Sequence, residues 1–105
     1  MRSKRNAESL RALRDAANLE PGNARFAYVY AVALNDGGQK AEALRVLDTA
    51  LKRHPYDRHL LSGLAYFSAQ SGKRELALAY LKQLSDLDPE NAEYAQMAKQ
   101  IQSAR

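Results

Sequence analysis

The sequence predicts an all-α stack of about six helices, and three observations carry that expectation. Prolines recur at Pro21, Pro55 and Pro89 in the punctuation "PGN", "PYD" and "PEN", one every thirty-four residues, and self-similarity at a period of 20–50 residues marks stacked repeats. Between the prolines, apolar residues return at i+3, i+4 and i+7, the spacing that lines one side of a helix. Aromatic and β-branched residues follow that spacing too, so no stretch shows the alternation of a strand.

The elements follow in order. A first helix is read at 6–18, with Ala7, Leu10, Leu13 and Ala17 on its apolar side, and Pro21 closes it by blocking continuation. A second, at 24–36, carries Phe26, Tyr30, Ala33 and Leu34; "NDGGQK" (35–40) then offers paired glycines for the left-handed backbone that ends a helix. Helix three, at 40–53, carries Ala43, Leu44, Leu47, Ala50 and Leu51. The plan repeats with Leu60, Leu61, Leu64 and Phe67 at 58–70, the turn "AQSGKR" (69–74), and Ala77, Leu78, Leu81 and Leu84 at 74–86. The last helix, at 91–103, should cover the preceding pair with Tyr94, Ala95, Met97, Ala98 and Ile101, while Glu93, Lys99, Gln100, Gln102 and Arg105 face water. Gly38 and Gly72 stand one period apart, as do Ala31 and Ala65, Ala43 and Ala77, and Leu47 and Leu81. Small residues in such places let antiparallel helices approach within ~8–10 Å.

A thirty-four-residue helix-turn-helix unit with small residues at these positions and a closing proline resembles the tetratricopeptide repeat. "YAVALNDGGQKAEALRVLDTALKRHP" and "LAYFSAQSGKRELALAYLKQLSDLDP" carry the pattern. Residues 1–105 then read as a single repeat domain: a half repeat at 6–23, repeats at 24–57 and 58–91, and a capping helix at 92–105. The chain departs from the family pattern at Ala27 and Leu61, where a large aromatic is usual, and at Leu34 and Ser68, where another is expected. The resemblance implies a right-handed α-α superhelix and a non-enzymatic module that holds a peptide or helix of a partner protein in its concave groove. Family members that grip chaperone tails carry a carboxylate clamp of lysines and asparagines; Tyr28, Val32 and Gly63 stand in three of those places, so that ligand is not implied. "NARFAYVYAVALNDGGQ" is also similar to carboxyl-terminal repeats of some larger bacterial proteins that join an exported domain, such as a multihaem cytochrome, to a repeat array. That would place the segment in the periplasm, the cytoplasm being the default. With no haem-attachment motif, haem does not carry over.

Composition narrows the function classes. No cysteine is present, which removes disulfides and thiolate metal sites; 46% apolar and 27% charged residues suit a folded chain. No apolar run reaches the ~18–20 residues that span a bilayer. The net charge of +4 gathers at Arg2, Lys4 and Arg5, whereas "KAEALRVLDTALKR" (40–53) alternates acids and bases as a solvated helix side does. A basic nucleic-acid-binding array is therefore the least favoured reading. His54 and His59 lack ligand spacing, and Ser62, Ser68 and Ser71 lack a neighbouring base, so neither a metal nor a catalytic site is expected, and no cofactor.

What remains is surface. Arg25, Tyr28, Val32, Asn35 and Asp36 share one side of the second helix; His59, Ser62, Tyr66, Ala69 and Gln70 are their equivalents in the next repeat, and Glu93, Gln96 and Gln100 in the last helix. Tyr28 and Tyr66 are expected to anchor a partner while adding little to folding. The apolar side of the first helix, Leu10, Leu13 and Ala17, lacks a covering neighbour and is expected to support weak homodimer contacts or the stacking of upstream repeats; a structural spacer or self-assembly domain is the alternative function.

Overall fold

The structure, a computed structural model, describes residues 4–103, with side chains from Glu8 onward. The roles given to Arg2, Lys4, Arg5, Ala7 and Arg105 lie outside the described residues or side chains. Among the described residues there are six helices and no strand: α1 Lys4–Leu19, α2 Ala24–Asp36, α3 Lys40–Arg53, α4 Arg58–Gln70, α5 Arg74–Leu87 and α6 Ala92–Ser103. The bounds of α2, α3 and α4 are those read from the sequence.

Caps explain where the helices start. Asn23 accepts from the Arg25 N–H, Asp57 from the Leu60 N–H and Asn91 from the Glu93 N–H, so α2, α4 and α6 begin with a side-chain oxygen on otherwise orphaned donors. The starts of α3 and α5 lack such a bond and instead carry Glu42 and Glu75 in the first turn, where carboxylates suit the helix dipole. The intervening turns are the same turn twice. Gly38 donates to Asn35 and Gln39 to Leu34; one period on, Gly72 donates to Ala69 and Lys73 to Ser68. Gly38 and Gly72 take φ of 85° and 77°. Of the paired glycines, then, the second alone needs the left-handed backbone, since Gly37 keeps φ at −84°.

Each helix packs on the next, and α2 also touches α4 directly. The core is a ladder of leucines, Leu47, Leu60, Leu61, Leu64, Leu81 and Leu84, all fully buried. Ala31, Ala43, Ala65 and Ala77 are each 0% exposed, as helices in close approach require. Two expectations are corrected. The core stripe of α2 runs through Ala31 and Leu34, with Ala27, Tyr28, Tyr30 and Val32 half-buried and packed against it; Tyr30 and Leu34 thus lie on the core as expected, while Phe26 and Ala33 are half-buried outside the cluster. The stripe centres on Ala31, whose small, fully buried side chain lets α2 meet its neighbours closely, and Phe26 and Ala33 fall to its sides. In α6, Tyr94, Met97, Ala98 and Ile101 lie on the core as expected, but Ala95 is exposed. Tyr94, Ala98 and Ile101 already fill the i, i+4, i+7 stripe, and Ala95 falls to one side of it.

Ser68 is fully buried, and its hydroxyl has no hydrogen-bond partner among the described residues. A buried donor left without a partner carries its desolvation cost, and alanine is the better helix former. Ser68→Ala is expected to stabilise the chain by about 1 kcal/mol, seen as a higher urea midpoint at unchanged m. A lower midpoint would show that the hydroxyl makes a favourable contact.

Candidate functional site

Because α2 and α4 touch, two pairs of the side chains read as a groove meet across them, Tyr28 with His59 and Asn35 with Gln70. The amino-terminal end of this contact is aromatic. The rings of Tyr28 and His59 stand 5.9 Å apart at 53°, a tilted pair. A Cβ on Gly63 would lie 3.3 Å from Tyr28 Cε1 and 3.1 Å from Leu47 Cδ1; the Tyr28 ring therefore lies against the α4 backbone. A cavity of about 280 Å³ opens beside it, lined in part by Arg25, Val29, Asp57 and His59.

The other end is built of amides. Asn35 Nδ2 donates to Gln70 Oε1 at 3.2 Å, tying α2 to α4, while Asn35 Oδ1 is buried without a partner among the described residues. Tyr28 and Asn35 are seven residues apart, roughly 10 Å along the helix. Tyr66, from α4, is 53% exposed and lies 5.8 Å from the Phe67 ring. Arg25, His59 and Gln70 are exposed, and Ser62 is half-buried.

The expectation that both tyrosines stand clear of the core holds for Tyr66 and not for Tyr28. Tyr28 and Val32 are half-buried and pack on the core, because the absent side chain at Gly63 leaves room for the ring. Gly63 is the residue whose importance the periodic reading missed, although a glycine inside a helix, costing about 1 kcal/mol relative to alanine, is itself a sign of close approach. The amino-terminal face needs a similar correction. Leu10 packs on the core, so one of the three residues expected at a self-association face turns inward, while Ala17 is half-buried and lines an open cleft shared with α2 and α3. Leu13 is half-buried. Helix α1 packs on α2, and that contact draws its apolar side toward the chain itself.

No described helix is long and apolar enough to cross a membrane. The family model described as tetratricopeptide repeat matches residues 1–60 and 37–101. No curated protein matches the chain.

Burial separates the two tyrosines energetically. Tyr28→Ala should lower the unfolding free energy of the free chain by roughly 2 kcal/mol, as truncation of a packed ring does, whereas Tyr66→Ala should stay within about 0.5 kcal/mol of wild type. Chemical denaturation of both variants checks this; equal losses would place Tyr66 in the core.

Proposed function

This chain belongs to the tetratricopeptide repeat family, and from that premise we propose that it is a protein-interaction module whose α2–α4 face holds an extended peptide or a helix of a partner protein. Members of the family are generally protein–protein interaction modules and generally non-catalytic. The observation that carries the finer reading is the exposed ring of Tyr66, which helical spacing sets in line with His59 of the Tyr28–His59 pair and Gln70 of the Asn35–Gln70 amide bridge. An exposed aromatic gives contact area at small entropic cost, and the fixed amides beside it orient a peptide backbone by hydrogen bonds. Arg25 and Ser62 add polar contacts at the rim and floor. Asp36, eleven residues after Arg25 on the same side of α2, is exposed as well, so the face is mixed in charge, which suits a ligand that alternates apolar and polar side chains.

Peptides selected from a random display library on the immobilised chain, then titrated into the 15N-labelled chain, test the proposal. Binding should shift the amides of Tyr66, Asn35 and Gln70, and Tyr66→Ala should weaken it by at least ~2 kcal/mol without changing stability. Selected peptides that leave those amides unmoved, or that bind Tyr66→Ala as well as wild type, defeat it.

A further inference from the structure

A second cleft lies away from that face, between α1 and α3, with α2 as its floor. It encloses about 310 Å³. Tyr30 and Val46 line its apolar part, and Arg14, Arg45, Arg53 and Glu42 its polar part. Tyr30 is two positions from Tyr28, about 200° around the helix, so the two tyrosines serve different sides of α2.

The chain itself shows what fits a cleft of this kind. One period beyond Val46 stands Tyr80, on α5. Tyr80 is 9% exposed and belongs to the core cluster. Burial, and after it the Asp48 carboxylate of α3, push its phenol above the ordinary tyrosine pKa, so the ring sits near α3. On α5, then, the equivalent position carries an aromatic ring that is buried on the side toward α3. Between α1 and α3 the equivalent residue is a valine, and the space stays open.

One charge differs between the two intervals, and at the filled one it is balanced by an ion pair of Asp48 with Lys52. Asp48 and Arg14 are one period apart, so a carboxylate stands at the filled interval where a guanidinium stands at the open one. Around the open cleft Glu42 is held by Arg45 in an ion pair, and Arg14 reaches Asp15 at 3.5 Å with both side chains more than half exposed. Arg53 makes no ion pair among the described residues and is exposed. Three guanidiniums line the cleft against one carboxylate, leaving positive charge around an apolar, ring-sized space.

We propose that the α1–α3 cleft is a second docking site, taking an aromatic side chain of a partner peptide whose flanking residues are acidic. The ring occupies the space that Tyr80 fills in the neighbouring interval, and the flanking carboxylates meet Arg53 and Arg14. The site is independent of the α2–α4 face, and a partner could engage both.

The probe is an acetylated, amidated pentapeptide, Asp-Glu-Tyr-Glu-Asp, titrated into the 15N-labelled chain at low salt. Saturable shifts are expected at Ala17, Tyr30 and Val46, with Tyr66 and Gln70 unmoved, and the same peptide with alanine for tyrosine should bind at least about tenfold more weakly. Val46→Tyr, which plugs the cleft from within, should weaken binding by about tenfold or more while leaving the melting temperature unchanged or raised. Arg53→Glu, on an exposed residue, should weaken it at least about threefold and flatten its salt dependence; should Val46→Tyr fail to fold, this variant decides. No saturable shift, equal binding of the alanine peptide, shifts confined to the α2–α4 face, or a folded Val46→Tyr or an Arg53→Glu that binds as well as wild type would each overturn the site.

Discussion

Two antiparallel helices cannot bury both of their sides, and how closely the next pair approaches decides everything else in this molecule. Approach is set by side-chain volume at a few points. Ala31, Ala43, Ala65 and Ala77 have no solvent exposure, and Gly63 lies within a methyl group's distance of Leu47 and Tyr28. Larger residues at these points would push α4 outward and open the leucine ladder behind it, an overpacking cost of about 1–3 kcal/mol per site. The surface ion pairs are a minor matter by comparison. Those of Lys52 with Asp48 and Lys82 with Asp86 join exposed side chains four residues apart on single helices, and pairs of that kind contribute a few tenths of a kcal/mol at most.

Among the described residues, close packing between helices that are not consecutive is found for α2 with α4. Helices α2 and α4 touch, whereas α1 and α3, and α3 and α5, have no comparable packing among the described residues. The inner side therefore brings side chains of two repeats into contact, as Asn35 and Gln70 show. On the outer side the intervals must be filled by large side chains or left open. Tyr80 fills one, and Val46 leaves the other with room. Both candidate sites thus descend from the same geometric fact, and the difference between them lies in which residue the period places there.

Most of the helix boundaries were legible because proline, glycine and the capping residues act locally. Pro21, Pro55 and Pro89 stop helices whatever lies around them, and Asn23 and Asp57 cap the backbone two or three residues ahead. Helix phase was less legible. Phe26 looked like a core residue and Tyr28 like a surface one because periodicity registers hydrophobicity and is blind to fit; the buried Ala31 was legible from its repeat at Ala65, whereas the room for the Tyr28 ring depends on Gly63, in another helix. The inward turn of Leu10 was hidden for a related reason. Which side of α1 is covered depends on its contact with α2, a tertiary fact that no spacing within α1 encodes. Val46 and Tyr80 stand one period apart in plain view, yet their meaning needs the knowledge that one ring is buried and the other interval open.

The inner face also gains from being largely fixed before any ligand arrives. Tyr28 is held between His59 and the α4 backbone, and Asn35 is tied to Gln70, so their rotamer freedom is already spent in folding and need not be lost again on binding. Tyr66 differs: it is exposed, and its ring has the shorter path to a partner. Under the proposed function this implies a division of labour, in which the fixed groups set the register of a ligand and the exposed ring supplies most of the contact area. Since the fixed groups span two helices, their spacing is the α2–α4 spacing, and that spacing is set at Gly63 and the buried alanines. A substitution in the core, far from any ligand, would therefore change recognition by moving Asn35 relative to Gln70 before it changed the fold.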